Sequence, residues 1–271
     1  MNILLTNDDG IAAPGIWAAA EALADLGQVT MVAPATNYSG YGAALPPARS
    51  YTCFPYCSPH GQPASVKTYG LAATPATCAQ VGLSGVLGGG PFDLVVSGIN
   101  LGANLGLDIL YSGTVGAALT AHLLGIPAIA VSLDANSNVD ANWRAAAWAL
   151  GEVVCLWQAN PQDAPVVFNV NVPNLPLSYL AGTLIAVPTK DSFLTRYRFS
   201  LDAGEEQNLA VIRDNAREPL AEPWTDAAAV RQGYVAVTPI RAFPDLLCVV
   251  PWARRTDEEA ALSMRVSELV A

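Results

Sequence analysis

Apolar residues are gathered in short blocks along the first two thirds of the chain, and turn residues punctuate them. Asn2 to Thr6 (NILLT) is an apolar run that stops at the polar, glycine-bearing segment Asn7–Gly10. A parallel strand buried on both faces has this appearance. Pro14 then opens the alanine-rich segment IWAAAEALADLG, apolar at helical spacing and closed by Gly27. VTMVAP follows as a second buried strand ending at Pro34. Residues 1–34 thus predict strand, helix, strand, a unit that closes right-handed with parallel strands.

The same rhythm predicts a helix over Pro75–Leu87 and a strand over Phe92–Val96, followed by a glycine-rich segment at 97–113. Further on it predicts a helix at Thr114–Leu124, a strand at Pro127–Leu133, a helix at Asn142–Gln158 and a strand at Val166–Val172. Strands alternating with helices indicate an α/β fold with a doubly wound, mostly parallel sheet. Residues 35–62, rich in Gly, Pro, Ser and Tyr, are too long for an ordinary connector and read as a functional loop. After Pro173 helix signals thin out, and the strand-like pieces TLIAVP and YVAVTPI sit among polar connectors. The organisation expected is a core at 1–173 and a β-rich second layer or arm at 174–271.

Composition adds two expectations. Hydrophobic residues are 52% and charged ones 13% of 271, which fills a large core and leaves an apolar surface suited to burial between subunits. The net charge is −10, and Lys67 and Lys190 are the only lysines. No basic stripe is available for a DNA or RNA backbone. A phosphate-bearing substrate would need a bound cation to neutralise it. Cys53 and Cys57 are isolated from other zinc ligands, so they read, with Cys78, Cys155 and Cys248, as thiols of an intracellular chain. The N-terminus lacks a basic n-region, and no stretch approaches the roughly 20 apolar residues that span a bilayer. The expected location is the cytoplasm, away from membranes.

In open α/β sheets ligands bind at the carboxyl ends of the strands. Three unusual segments fall at such ends: Asn7–Gly10, Asn37–Gly42 and Ser97–Thr114. Asp8 and Asp9 are adjacent carboxylates that repel one another and lose hydration there. A divalent cation relieves both costs; the plainer reading makes one of them the N-cap of the helix near Pro14. The segment SGINLGANLGLDILYSGTVGAA places Asn100, Asn104, Asp108, Ser112 and Thr114 among five glycines. Asn100 offers a neutral oxygen to a hard cation. Ser112-Gly113-Thr114 precede a helix and suit an anion at its positive end, or else supply an ordinary cap. Ser39 is a loop serine able to complete a metal shell. His60 reads as solvated and His122 as a helix residue. No G-x-S-x-G elbow, Walker A motif or G-x-G-x-x-G follows the first strand.

With these residues in view, the chain resembles the SurE family, the survival-protein 5′-nucleotidases. The matching text is ILLTNDDGIAAPGI, VAPATNYSG, TPATC, VVSGINLGANLGLDILYSGTVGAA, GIPAIAVSL, FNVNVP and TDAAAVRQGYVAVTPI. The resemblance implies a Rossmann-like core and a protruding C-terminal region exchanged between subunits of a homodimer or homotetramer. It also implies divalent-metal-dependent release of phosphate from nucleoside monophosphates, with 3′-nucleotides and short polyphosphate as further substrates. One divalent cation per subunit, Mg²⁺ or Mn²⁺, is then expected on Asp8, Asp9, Ser39 and Asn100. Phosphate contacts are expected at Asn104, Ser112, Gly113 and Thr114, with Asp8 and Asp9 as the catalytic carboxylates.

The chain departs from the family pattern beside the expected pocket. Tyr38-Ser39-Gly40 followed by YGAALPP stands where Arg-Ser-Gly and a serine-rich stretch are usual. Thr77 stands where the family's Thr-Pro-Ala segment usually ends in Asp, and the basic run after the Val-Pro segment is thinned to PTKDSFLTRYR. Two rival readings are a nucleotide-binding regulatory protein without turnover and a phosphohydrolase with an aspartyl-phosphate intermediate. The second class usually carries Asp-x-Asp, whereas Asp8 and Asp9 are adjacent.

Overall fold

The structure is a computed structural model describing residues 1–59, 61–136, 139–160, 166–190, 197–201, 209–213 and 222–240. Its first elements follow directly from the apolar blocks: strand β1 (Asn2–Thr6), helix α1 (Pro14–Ala24) and strand β2 (Gln28–Pro34). Next come β3 (Cys53–Pro55), β4 (Val66–Leu71), α2 (Pro75–Leu83), β5 (Leu94–Leu101), α3 (Gly113–Leu123) and β6 (Ala128–Asp134). The chain continues through α4 (Trp143–Ala159), β7 (Val167–Pro173), β8 (Gly182–Ile185), β9 (Tyr197–Leu201), β10 (Leu209–Arg213), α5 (Asp226–Arg231) and β11 (Tyr234–Ile240).

Nine strands form one sheet in the order β3-β4-β2-β1-β5-β6-β7-β11-β8. β1 runs parallel to β2 on one side and to β5 on the other. From β1 the chain first winds outward through β2 to β4, then returns to β5 and winds the other way. That reversal opens a crevice at the carboxyl ends of β1 and β5, the place where this class of sheet holds ligands.

Side chains of β1 alternate between two cores, as the two-residue period of a strand requires. Ile3 and Leu5 join α1 and α4 residues such as Ile16, Leu23, Leu150 and Val154. Leu4 faces the other way, with Cys78, Val115 and Ala118 of α2 and α3. β1, β5, β6 and β7 are therefore covered on both faces, which explains their largely apolar sequences.

The structure differs from the sequence expectation in three places. β5 extends to Leu101, so Ser97-Gly98-Ile99-Asn100 belongs to the strand and not to the loop after it. The register against β6 shifts between Ser97 and Asn100, as a bulged strand does where it re-aims a side chain. Second, part of the long 35–62 stretch is the short strand β3, antiparallel to β4. Neither β3 nor β4 shows clear apolar alternation in sequence; β4 is drawn into strand form by pairing with β2, and β3 by pairing with β4. Third, YVAVTPI forms β11, which pairs antiparallel with β7, and the TLI of TLIAVP lies in β8, parallel to β11. Both strands extend the main sheet and do not build a second layer. Between them in sequence, β9 and β10 form a separate antiparallel pair. His60 and Cys248 lie outside the described residues.

Candidate active site

β1 ends at the crevice and delivers Asn7, Asp8 and Asp9 there in consecutive positions. The Asn7 side chain ties the turn by donating to the Gly10 carbonyl at 2.9 Å and accepting from the Gly10 N–H at 3.3 Å. Helix α1 is capped at Ala13 without any side-chain bond, so neither aspartate acts as its N-cap. Both carboxylates turn inward.

Asp8 is buried beneath the N-terminus of α3. The Thr114 hydroxyl donates to its Oδ1 at 2.5 Å, and a Cβ on Gly113 would stand 2.7 Å from the Asp8 Cβ. Glycine at 113 is what lets the carboxylate come this close. Burial pushes the Asp8 carboxyl up to about 6; the Thr114 bond opposes the rise and the Asp9 charge adds to it. Asp9 is held on several sides. Its Oδ2 accepts from the Leu101 N–H at 2.9 Å, its Oδ1 from the Asn37 amide at 3.2 Å, and the Ser39 hydroxyl also bonds it. Burial raises the Asp9 carboxyl as well.

The loop after β2 folds over this pair. The Tyr38 N–H donates to the Asp8 carbonyl at 2.7 Å, and the Ser39 N–H to the Asn37 side chain at 2.7 Å. Asn100, buried at the end of β5, donates through Nδ2 to the Gly102 carbonyl at 2.7 Å. Its Oδ1 is thereby the atom left for a cation. Asp8 and Asp9 follow β1, Asn100 lies near the end of the adjacent β5, and Ser39 is in the loop bonded to the Asp8 backbone through Tyr38.

This donor set fits a hard divalent cation. It offers two carboxylates, a hydroxyl and an amide oxygen, and no nitrogen or sulfur. The raised carboxyls record the cost of two adjacent anions in a buried place, which a cation at the same oxygens removes. Among the described residues no group of three or more His, Cys, Asp or Glu side chains gathers, so the softer ligand sets favoured by zinc are not formed.

The residues expected to touch phosphate occupy distinct environments. Ser112 is the N-cap of α3, its Oγ accepting from the Val115 N–H at 3.1 Å; its hydroxyl proton is still available to an anion. Thr114 spends its hydroxyl on Asp8. Asn104 is anchored to β6 and β7: its N–H donates to Asn171 at 2.8 Å, its side chain to Ser132 at 2.7 Å, and its carbonyl accepts from Asn169 at 2.8 Å and Asn171 at 3.1 Å. Sequence reading missed this asparagine brace, and also Asn37. The signal for the brace was present in FNVNVP, where Asn169 and Asn171 recur at strand period and so share one face of a buried strand.

Comparison with known proteins decides the relationship. The family model for survival protein SurE matches residues 3–193. The chain belongs to the SurE family. The 5′-nucleotidase SurE of Synechococcus sp. (strain JA-3-3Ab) is 37% identical over 248 residues, 91% of this chain and 93% of that one. The 5′/3′-nucleotidase SurE of Serratia proteamaculans (strain 568) is 38% identical over 244 residues, covering 89% and 90%. The crystal structure of SurE protein from Aquifex aeolicus superposes with a TM-score of 0.72 at 34% identity, covering 88% of this chain and 92% of that one. The resemblance drawn from NDDG and SGIN is confirmed at family level, and so is the α/β fold.

Proposed function

We propose that this chain is a 5′-nucleotidase, a phosphomonoesterase that depends on a divalent metal and releases phosphate from nucleoside 5′-monophosphates. The observation that carries the reading is the Asp8–Asp9 pair at the reversal point of the sheet, in a chain similar over nine tenths of its length to proteins named 5′-nucleotidase SurE. The Serratia relative's 5′/3′ name supports 3′-nucleotides as further substrates, and short polyphosphate is accessible to the same chemistry.

Asp8, Asp9, Ser39 and Asn100 are the residues we assign to one cation, Mg²⁺ or Mn²⁺. When bound, such an ion polarises a phosphoryl oxygen and offsets the negative charge of the substrate. The chain's own groups do the rest. N–H groups at the start of α3 and the Ser112 hydroxyl hold phosphate oxygens at the positive helix end as charge shifts in the transition state. Asn104, fixed by Asn169, Asn171 and Ser132, orients the phosphate. Asp9 is the carboxylate we assign to accept a proton from the attacking water, because it is the less buried of the pair and is positioned by the Leu101 N–H and the Asn37 amide.

The same reading expects a homodimer or homotetramer in the cytoplasm. Exposed Val86, Leu123, Leu124 and Trp224 supply apolar surface for subunit contacts. No helix of the described residues is long and apolar enough to cross a membrane. The deciding experiment measures phosphate release from nucleoside 5′- and 3′-monophosphates with Mg²⁺, with Mn²⁺ and with EDTA. Release that requires a metal is the expected result. Well-folded protein that binds nucleotides and releases nothing would replace this reading with a regulatory one.

A further inference from the structure

Two tyrosines that neither the metal set nor the phosphate contacts use stand at the mouth of the crevice. The rings of Tyr38 and Tyr41 lie 5.1 Å apart at 75°, an edge-to-face pair. Their backbone is fastened to the site itself. The Tyr38 N–H bonds the Asp8 carbonyl, the Tyr41 N–H bonds the Tyr38 carbonyl at 3.2 Å, and the Gly42 N–H bonds the Tyr111 carbonyl at 3.0 Å. Tyr111 immediately precedes the Ser112 cap. Gly42 also rests directly on α3, since a Cβ on Gly116 would stand 2.6 Å from the Gly42 carbonyl carbon. A little further on, the Thr74 hydroxyl holds the Ala44 carbonyl at 2.7 Å.

The pair therefore sits on a braced segment beside the phosphate end of the crevice. Tyr38 is half-buried and backs Tyr41, which is 58% exposed. An aromatic face held rigid and left open next to an anion site costs little ordering when a flat group settles on it. A nucleoside monophosphate has such a group at the end away from its phosphate.

We propose that Tyr38 and Tyr41 form the nucleobase platform of this site, Tyr41 stacking on the base and Tyr38 bracing Tyr41. The proposal rests on the nucleotidase reading for its substrate. Every base has a π-face, so the platform accepts all bases and holds the larger purines best.

The test compares adenosine 5′-monophosphate with ribose 5-phosphate, which carries the same phosphomonoester and no base. Wild type should favour the nucleotide in kcat/KM. In Tyr41→Ala the ratio of the two kcat/KM values should fall about tenfold through KM, and Tyr41→Phe should keep it. An unchanged ratio in Tyr41→Ala, or equal losses on both substrates, overturns the platform. So does a change of oligomeric state in Tyr41→Ala by light scattering, which would make the pair a contact with a second copy of the chain. Calorimetric binding of the same two compounds separates the platform from the activity. Without phosphate release from either compound the nucleotidase reading fails. A nucleotide-over-sugar binding gap that Tyr41→Ala closes would then still uphold the platform, and no gap would end it.

Discussion

Two buried aspartates, Asp8 against the first turn of α3 and Asp226 in the first turn of α5, each have the carboxyl raised chiefly by burial. Their surroundings differ in kind. Asp226 begins α5 and receives three backbone N–H groups, from Gly106 at 2.8 Å, Thr189 at 2.8 Å and Ala227 at 2.7 Å. Those bonds tie the glycine-rich segment to the strand region after β8, with every donor supplied by fixed backbone. Asp8 is met by the Thr114 hydroxyl and by the backbone N–H groups of Asp8 and Thr114, and its like charge is the Asp9 carboxylate next to it in sequence, where Asp226 has that of Asp108. A carboxylate with its lone pairs filled by amides is a finished joint. One bonded through a side-chain hydroxyl, with a second buried carboxylate as its immediate neighbour and the Ser39 hydroxyl on that neighbour, is the one we assign to a cation. Burial and a raised pKa are common to both, so neither alone marks the active site.

The sharpest way to break this contrast is Asp9→Asn, which keeps size and removes one of the two adjacent charges. We expect kcat/KM for a nucleoside monophosphate to fall about 1000-fold or more, while the urea midpoint of metal-free protein stays the same or rises. Near-normal turnover in this variant would sink the assignment of the pair to chemistry.

Stability against pH is the next largest effect. The Asp8 carboxyl rises from 3.8 to about 6 on folding, so the folded state prefers the protonated form. In EDTA its contribution is fully present below about pH 4 and is lost as pH rises through 6. The difference between wild type and Asp8→Asn should change by about 3 kcal/mol across that window. Above pH 6, Mg²⁺ or Mn²⁺ should recover most of the loss in wild type and little in the variant. A difference curve flat with pH would mean that Asp8 carries no unrelieved charge.

Asp226→Asn should give the opposite sign to Asp8→Asn in metal-free protein at neutral pH. An amide NH₂ placed against a backbone N–H is left facing another donor, at a cost of about 2 kcal/mol. Urea unfolding of Asp226→Asn should show that loss, whereas Asp8→Asn should be neutral or more stable. Equal destabilisation of the two would erase the distinction between joint and site.

Much of this contrast could be read in advance, and what could not has a physical reason. The blocks of β1, β2, β5, β6 and β7 announce themselves because strands covered on both faces are mostly apolar, with polar residues such as Asn169 and Asn171 the exceptions. Their ends mark the crevice, which is why Asp8, Asp9, Asn100 and Ser112 to Thr114 stood out. β4 stayed hidden because VKTYGL mixes buried and exposed positions, and its strand form comes from pairing with β2. YVAVTPI reads as a strand, but its antiparallel place beside β7 depends on packing far along the chain. Asn37 on Asp9 and Asp226 on Gly106 are likewise contacts between residues distant in sequence, set by loop paths that no local pattern encodes.

The finest test replaces the Thr114 hydroxyl and leaves its shape, in Thr114→Val. The hydroxyl bonds the charged form of Asp8 and so lowers that carboxyl against the rise from burial. Its removal should push the Asp8 pKa above 6 by about one unit, equivalent to about 1.5 kcal/mol lost at neutral pH in EDTA. The pH window over which metal-free stability declines should widen upward by the same amount. With saturating metal the two proteins should differ less, because a cation at Asp8 supplies what the hydroxyl did. The comparison then closes on itself: a Thr114→Val effect that shrinks with metal identifies Asp8 as a site that completes its shell with an ion. An effect indifferent to metal would place Asp8 with Asp226, among the carboxylates that fasten the fold.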